Sequence, residues 1–411
     1  MSRLPRVLLL TPAPPYPPDN GGMLRVLELV RGLAGRVEFE LLTFTRRAGP
    51  ERLRQAAATL ALSRHFARVH EVPKETTERA DPRAAGWPAA VREWWSAEMA
   101  QRVAELTATG RYDALHAEFL LMGGYAPYAR GARTVLTDHD LSHLSLTRSY
   151  FREWTGWGRL TALPEWLRLR RFHRAACLGH DRVVVLTPED QSLLRRAAPA
   201  ASSVLVPTGV DLRRFERAPE DGRQDLDLVF VGHYPHYPNE DAAVFLCRDV
   251  LPLLRRVRPG VRVALVGSDP TPAVRALAAE RVLVTGTVAD VRPWLNRAKV
   301  FVAPVRLGFG VKGKVLEAFA RGRAVVATSA VARGLPGTRA GEHLLAADSP
   351  RAFADACLAL LSDEPRRRAM ADAARALVES SWGWERSCAR LEALYRELAG
   401  ARAAAPALER A

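Results

Sequence analysis

Between residues 299 and 328 the chain passes through an apolar segment, a glycine-rich loop, a helical pattern and a second apolar segment, and this succession constrains the fold most. The apolar segments 299–305 and 324–328 are short and rich in β-branched residues, as buried parallel strands are. Leu316, Phe319 and Ala320 recur at helical spacing between them. Because parallel strands need a crossover connection, the pattern predicts a β-α-β unit and an α/β fold.

The loop inside this unit has the composition of an anion-binding site. Gly308, Gly310 and Gly313 free the backbone to approach a ligand, and the helix that follows offers unpaired N–H groups at its positive end. The chain has 60 Lys plus Arg but only four lysines, and Lys312 and Lys314 both lie here. Compact ammonium groups suit a crowded phosphate site. We therefore interpret the loop as a phosphate site, the alternative being two lysines that fall by chance on a solvated loop.

The bulk composition favours a globular two-domain protein in a reducing compartment. A chain of 411 residues is too long for a single core and suits two domains of roughly 150 to 200 residues. The four cysteines form no Cys-x-x-Cys pair, which argues against a metal site or a disulfide framework. The apolar run 7–10 is too short for a signal peptide, and no run reaches the roughly 18 apolar residues of a membrane span. We expect a cytoplasmic protein.

The formal net charge of +15 raises the question of an anionic partner. Residues 1–205 hold 29 Arg plus Lys against 21 Asp plus Glu, a net charge of +8, so the excess is spread over both halves. Segment 141–182 is denser, with eight arginines, three acids and Trp154, Trp157 and Trp166. This mixture suits peripheral contact with the inner face of a membrane, although solvated arginines on a helix face are the commoner explanation.

Strands and helices alternate twice along the chain. In the first half we predict strands at 6–11, 37–43, 112–116, 134–137, 182–186 and 204–206, with helices at 21–33, 53–62 and 91–106. Residues 207–224 are rich in Pro, Gly, Asp and Arg, which is typical of an interdomain linker. In the second half we predict strands at 226–231, 261–266, 282–285, 299–303 and 324–328, with helices at 240–257, 272–279, 291–296, 350–361, 365–378 and 384–398. Two such series predict two doubly wound, Rossmann-like domains facing a central cleft.

Two places in the first half are candidate ligand contacts. Gly21 and Gly22 place glycine at the start of the first helix, although a Gly-Gly pair alone is a weak signal. His139, between Asp138 and Asp140, follows a predicted parallel strand, where open α/β sheets place ligand-contacting groups. The alternative is that Asp140 caps a helix and His139 only hydrogen-bonds nearby.

With these residues the chain resembles, over nearly its whole length, the retaining GT-B glycosyltransferases, and within them an exopolysaccharide-associated subgroup similar to glycosyltransferase family 4. The resemblance rests on the short motifs Gly21-Gly22, Thr137-Asp138-His139-Asp140-Leu141, Val206-Pro207-Thr208-Gly209-Val210-Asp211, Phe230-Val231-Gly232, Gly286-Thr287-Val288-Ala289-Asp290-Val291 and Lys314-Val315-Leu316-Glu317-Ala318-Phe319-Ala320-Arg321-Gly322. It implies a GT-B fold with an acceptor-side domain 1–206, a linker 207–224, a nucleotide-sugar donor domain 225–380 and a C-terminal helix 381–411 that returns to the first domain.

The resemblance also implies a reaction and its residues. The reaction is a retaining, metal-independent hexosyl transfer from a nucleoside-diphosphate sugar to a saccharide or lipid-linked acceptor, with no cofactor besides the donor substrate. The implied catalytic residues are Lys312 on the diphosphate, Glu317 on the ribose hydroxyls and His139 on the sugar. The implied donor contacts are Gly21, Gly22, Gly232, Val288, Gly310, Lys312, Gly313, Lys314 and Glu317.

Two departures from the family pattern bear on the donor site. The family commonly has two glutamates here, and Phe309 stands where the first would lie if Glu317 is the second. The loop after Gly232 also lacks the Arg and Lys that often hold the donor phosphates. We therefore expect Lys312, together with Lys314, to supply that charge.

Three other functions compete with this interpretation. Residues 308–313 match Gly-x-Gly-x-x-Gly, as in dinucleotide oxidoreductases, but the next strand ends in Thr328 and Ser329 with no acid for a ribose. A sugar-nucleotide epimerase could share the fold. The net charge could suit a nucleic-acid-binding protein, yet the even spread of charge and the lack of a recognisable binding module argue against a specific nucleic-acid partner.

Overall fold

The computed structural model describes residues 3–18, 20–45, 60–74, 84–139, 141, 144, 158–217, 224–307 and 310–404. The chain divides into two compact units. The first comprises Met1–Pro207 with Glu385–Ala411, and the second comprises Thr208–Trp384. Each unit is built around one parallel sheet with its own apolar core, in keeping with the doubly wound α/β fold that the alternating pattern predicts.

Seven parallel strands form the sheet of the first unit, in the order β3-β2-β1-β4-β5-β6-β7. They are β1 (Arg6–Thr11), β2 (Glu38–Thr45), β3 (Arg68–Pro73), β4 (Ala114–Glu118), β5 (Arg133–Thr137), β6 (Arg182–Val185) and β7 (Ser203–Leu205). The strand order reverses between β1 and β4. At such a switch point, open α/β sheets bind ligands at the carboxyl ends of their strands.

The helices described in the first unit include one correction to the prediction. They are α1 (Gly21–Gly32), α2 (Ala89–Arg92), α3 (Ala97–Ala108), α4 (Gly158–Leu178) and α5 (Pro188–Ala197), with a 3-10 helix at Leu120–Tyr128. The single helix predicted at 91–106 is wrong, because Ser96 begins a new helix by accepting a hydrogen bond from Met99 N at 3.3 Å. The helix predicted at 53–62 lies mostly outside the described residues.

Six parallel strands form the sheet of the second unit, in the order β10-β9-β8-β11-β12-β13. They are β8 (Leu226–Val231), β9 (Val263–Val266), β10 (Val282–Val284), β11 (Ala298–Ala303), β12 (Ala324–Ala327) and β13 (Leu345–Ala346). The strand order reverses between β8 and β11, so the second switch point lies where the loop after β11 leaves the sheet.

The helices that follow in the chain agree with the alternation but not always with the predicted bounds. They are α6 (Tyr237–Val244), α7 (Leu251–Val257), α8 (Pro272–Arg275), α9 (Arg292–Arg297), α10 (Gly313–Ala320), α11 (Ser329–Arg333), α12 (Pro350–Ser362), α13 (Glu364–Ser381) and α14 (Trp384–Ala404). The helix predicted at 240–257 begins earlier, and a π-helical segment, Phe245–Val250, separates α6 from α7.

The C-terminal helix α14 packs within the first unit from Glu385 onward. Its Tyr395 hydroxyl lies 2.6 Å from His116 Nδ1, and the Tyr395 ring meets the Phe39 ring edge-on with centroids 5.9 Å apart. Ser387 Oγ donates to the Pro207 carbonyl at 2.8 Å. These contacts make α14 part of the first unit's core. Among the described residues, no helix combines the length and apolar character needed to cross a membrane.

Candidate functional site

In the second unit, the loop between β11 and α10 leaves the sheet beside β8. Gly308 and Phe309 lie outside the described residues. That Phe309 takes the place of the family's first glutamate therefore stays a prediction. Gly310 has φ 74°, a left-handed conformation that favours glycine. Lys312 occupies the N-cap position of α10, and Gly313 is the first residue of the helix. A Cβ on Gly313 would meet nothing within 4 Å, so this backbone is open to a ligand.

Lys314 lies in the first turn of α10 and reaches the end of β8. Its Nζ donates to Asn239 Oδ1 at 2.6 Å and lies 4.7 Å from the centroid of the Phe230 ring. Burial, reinforced by the positive charge of Lys312, lowers the pKa of Lys314 to about 7. The ammonium group is therefore only partly protonated at neutral pH, and an anion beside it would stabilise the charged form.

Glu317 lies one turn further along α10. Burial raises the pKa of its carboxyl group to about 7, against the opposing effects of Arg214 and Lys314. No hydrogen bond contributes to this pKa shift. No donor to the carboxyl group occurs in the part of the chain that the structure describes. A half-buried acid with no donor among the described residues can accept hydrogen bonds from the hydroxyl groups of a ligand.

The loops after β8 and β9 are tied to each other beside Lys314. Gly267 has φ 145°, and a Cβ there would lie 1.7 Å from the Gly232 carbonyl oxygen, so these two backbones touch directly. Asn239, which also holds the Lys314 ammonium group, donates through Nδ2 to the His233 carbonyl at 2.7 Å. His233 Nδ1 in turn lies 2.8 Å from a hydroxyl group in the loop after β9, which links the two loops. These contacts hold the backbone around Gly232 in place.

The structure brings most of the predicted donor residues to one switch point. Gly232 follows β8, while Gly310, Gly313 and the lysines and glutamate of α10 follow β11, its neighbour in the sheet. Val288 follows β10, two strands away from β8, and its partly buried side chain packs against the core. The strand order therefore does not place Val288 beside the loop before α10.

In the first unit, His139 follows β5 and is held by two residues at the end of β4. Its Nε2 lies 2.7 Å from Glu118 Oε2. Its ring stacks on the Phe119 ring, with centroids 4.2 Å apart and planes 15° from parallel. Phe119 has φ 72°, which is unusual for a bulky residue and is often found where function constrains the backbone. The His139 side chain keeps 13% exposure, so part of the ring faces solvent.

A buried polar network lies behind Glu118. Arg25 Nη1 lies 3.8 Å from Glu118 Oε1 and His116 Nε2 lies 3.7 Å from the same oxygen. Burial alone would raise the pKa of Glu118, but His116, His139 and Arg25 outweigh it and lower the pKa to about 2. Burial lowers the pKa of His116 to about 4. Glu118 is therefore a permanent carboxylate at physiological pH, even though its side chain is only 3% exposed.

The two glycines at the start of α1 differ in their surroundings. A Cβ on Gly22 would lie 2.6 Å from the Phe119 ring, so glycine there has a packing reason that is independent of any ligand. Gly21 has nothing within 4 Å of the same position and is open. Asn20 caps the helix by accepting a hydrogen bond from Met23 N at 3.0 Å.

Asp138, which precedes His139 in the sequence, binds a different histidine. Asp138 Oδ2 lies 2.8 Å from His173 Nε2 of α4, in the core, and Asp140 lies outside the described residues. Glu118 was missed because β4 was predicted to end at residue 116. The structure extends β4 by two residues and pairs Glu118 with Thr137 of β5. A predicted strand at 112–118, paired with the strand at 134–137, would have placed Glu118 near His139.

Two parallel doubly wound sheets in one chain are consistent with the GT-B fold. Residues 20–214 match the family model described as Glycosyltransferase Family 4, and residues 225–363 match the one described as Glycosyl transferases group 1. The chain is a GT-B glycosyltransferase. These matches do not favour the oxidoreductase, epimerase or nucleic-acid alternatives.

Two curated relatives are mannosyltransferases. Lipopolysaccharide core biosynthesis mannosyltransferase LpsB of Rhizobium meliloti is 33% identical over 124 residues, covering 29% of this chain and 35% of that protein. The GDP-mannose-dependent monoacylated alpha-(1-6)-phosphatidylinositol monomannoside mannosyltransferase of Corynebacterium glutamicum is 28% identical over 294 residues, covering 66% of this chain and 71% of that protein. The first match thus spans about a third of its relative's length.

Solved structures share the fold at low sequence identity. Sucrose-phosphate synthase of Thermosynechococcus elongatus has a TM-score of 0.70 at 19% identity, covering 97% of this chain and 100% of that one. HepE of Anabaena, in complex with UDP-glucose, has a TM-score of 0.66 at 15% identity, covering 96% and 99%. At these identities the likeness shows the fold alone.

Proposed function

We propose that this glycosyltransferase moves a hexosyl group from a nucleoside-diphosphate sugar to a saccharide or lipid-linked acceptor, with retention of anomeric configuration, in polysaccharide or glycoconjugate synthesis. The observation that carries the proposal is the turn at the start of α10. It combines an open glycine backbone, two lysines and a carboxyl group without a donor among the described residues. Relatives named as mannosyltransferases and a neighbour solved with UDP-glucose support it.

On this proposal the second unit stabilises the leaving group. Cleavage of a glycosyl phosphate bond leaves an oxocarbenium-like sugar and builds negative charge on the departing diphosphate. Lys312 and the N–H groups of the first turn of α10 would face that charge, and electrostatic stabilisation of this kind is usually the largest catalytic contribution. Lys314 would become fully protonated as the charge appears, because its lowered pKa responds to a neighbouring anion.

Three further residues are proposed donor contacts. Glu317, ionised above its pKa of about 7, would accept hydrogen bonds from the ribose hydroxyls. We assign the transferred sugar to His139 and to the open backbone at Gly21.

A screen of donors followed by product analysis tests the function. Shifts in melting temperature with UDP, GDP, ADP and their sugars identify the donor, since a ligand that binds only the folded state raises the apparent stability. Transfer to an acceptor is then followed by NMR of the new anomeric centre. We expect a product with the donor's configuration. Inversion would refute retention, and release of an epimerised sugar without an acceptor would refute transfer.

We also propose peripheral membrane contact at a cytoplasmic surface, through α4 of the predicted segment 141–182. Leu163, Leu167 and Leu178 are exposed by 39%, 40% and 45%, among exposed arginines such as Arg171. Trp166 is only 8% exposed and packs inward, so it is not an interfacial anchor. Trp154 and Trp157 lie outside the described residues.

Vesicle sedimentation tests this membrane contact. We expect salt-sensitive binding to vesicles that contain anionic lipid and weaker binding of Arg171→Glu, because the substitution reverses a charge on an exposed helix face. Equal binding to neutral and anionic vesicles would contradict the proposal.

A further inference from the structure

The carboxylate that binds His139 has further polar neighbours that a packing contact alone does not require. Glu118 joins the His139 ring on one oxygen and faces Arg25 and His116 on the other. Resting on the proposed function, we propose that Glu118 is a positioning residue. It fixes the proton of His139 on Nε2 and thereby presents Nδ1 as an acceptor to a hydroxyl group of the sugar substrate.

The position of the proton follows from donor and acceptor chemistry. An ionised carboxylate can only accept hydrogen bonds, so the hydrogen in the 2.7 Å contact belongs to His139 Nε2. A neutral imidazole with its proton on Nε2 carries a lone pair on Nδ1. The low pKa of Glu118 supports this, because at physiological pH the carboxylate is ionised and has no hydrogen of its own to donate.

The orientation of the ring is fixed as well. Phe119 covers one face of His139, and Glu118 holds one edge. Phe119 is itself placed by its positive φ, by the hydrogen bond from its N–H to the Thr137 carbonyl at 3.0 Å, and by the space that Gly22 leaves for its ring. The stack fixes the plane of the imidazole, and a half-turn flip within that plane would lose the hydrogen bond to Glu118, so Nδ1 has one preferred direction.

The cost of the arrangement argues against a purely structural role. Arg25 is 1% exposed, and its Nε and Nη1 have no hydrogen-bond partner in the described part of the chain. Its Nη2 donates to the Val206 carbonyl at 3.0 Å. A buried ion pair with unsatisfied donors is often less stable than an apolar replacement of the same size. We therefore infer that the role of the Arg25–Glu118 pair is to keep Glu118 ionised beside His139.

The direct test is the position of the His139 proton. Nitrogen-15 NMR of the full-length protein should show the neutral His139 ring protonated on Nε2, and Glu118→Gln should produce a mixture of both tautomers, since an amide can donate as well as accept. A proton on Nδ1 in the unaltered protein would overturn the proposal. This measurement needs no sugar substrate, so its failure is distinct from a failure of the proposed function.

A kinetic cycle separates positioning from structural support. We expect Glu118→Gln to lower kcat by roughly 10- to 100-fold with little change in the donor KM, a loss typical of residues that orient a functional histidine. In a His139→Ala background the same substitution should change kcat little, because the two residues act as one unit. Equal losses in both backgrounds would mean that Glu118 acts independently of His139.

The double variant Arg25→Met/Glu118→Gln guards against misfolding of the single variant. It removes both buried charges together, so we expect a melting temperature near that of the unaltered protein. The kcat of the double variant should stay low. The single variant Glu118→Asp, which keeps a carboxylate, should have a higher kcat than Glu118→Gln. If the double variant regains full kcat, Glu118 serves only to balance Arg25 and the proposal is wrong.

Discussion

Binding of a nucleoside diphosphate should draw a proton onto the enzyme at mildly alkaline pH. Burial and Lys312 lower the pKa of Lys314 to about 7, so near pH 8 the free enzyme carries this side chain mostly deprotonated. A diphosphate near Nζ favours the ammonium form and raises its pKa. Binding therefore takes up a proton, and the affinity falls as pH rises above about 7.

Coulomb's law sets the size of the effect. One negative charge about 5 Å from Nζ, at an effective dielectric constant of about 20, contributes about 3 kcal/mol, which corresponds to about 2 pKa units. The protonated fraction of Lys314 at about pH 8 would then rise from about 0.1 to about 0.9, an uptake of about 0.8 proton per diphosphate.

Isothermal titration calorimetry measures this uptake. At pH 8, the binding enthalpy is recorded in buffers of different ionisation enthalpy, and the slope gives the number of protons bound. Lys314→Met should abolish the uptake. Lys299→Met is the matched control, because Lys299 bonds Asp227 at 3.0 Å and enters no proposed donor contact, so its removal should leave the uptake in place. No uptake in the unaltered enzyme, or equal uptake in Lys314→Met, would refute the reasoning.

Two glycine pairs give further predictions. Gly267→Ala should lower the melting temperature strongly because the new Cβ would lie 1.7 Å from a backbone oxygen, whereas Gly286→Ala, at φ 69° with open space around it, should cost only about 1–2 kcal/mol for a left-handed alanine. Equal losses in thermal unfolding would contradict this. Gly22→Ala should displace the Phe119 ring and lower kcat, while Gly21→Ala, which meets no atom within 4 Å, should perturb that ring far less. An unchanged kcat in Gly22→Ala would show that the ring placement is unimportant.

Much of the fold could be predicted because its strands are buried. Strands β8, β11 and β12 lie inside a parallel sheet and are near-continuous apolar runs, interrupted by Asp227 in β8 and by Lys299 in β11. Strand β3, an edge strand, has one buried residue and carries Arg, His and Glu, so no apolar run marks it. The break before Ser96 was missed because a capping serine inside an apolar periodic segment resembles an ordinary helix position.

Part of the candidate site could likewise be predicted from the sequence, and part could not. The turn at the start of α10 could be found from local sequence, because glycine spacing and the rarity of lysine mark Lys312 and Lys314. The partner of His139 could not, since Glu118 lies 21 positions away and meets it only through the pairing of two strands. The opposed pKa shifts of Lys314 and Glu317 depend on burial, which local composition does not reveal.

The affinity of the α10 turn for a nucleoside diphosphate tests the account most directly. Calorimetry with UDP and GDP should show that Lys312→Ala and Glu317→Ala each weaken binding by roughly 10- to 150-fold, the loss of about 1.5 to 3 kcal/mol expected for a hydrogen bond to a charged group. Lys299→Ala is the matched control, because Lys299 bonds Asp227 at 3.0 Å and enters no proposed donor contact. Weakened binding in the first two variants with normal affinity in the control is the predicted result. Unchanged affinity in both Lys312→Ala and Glu317→Ala would contradict the assignment of the donor site.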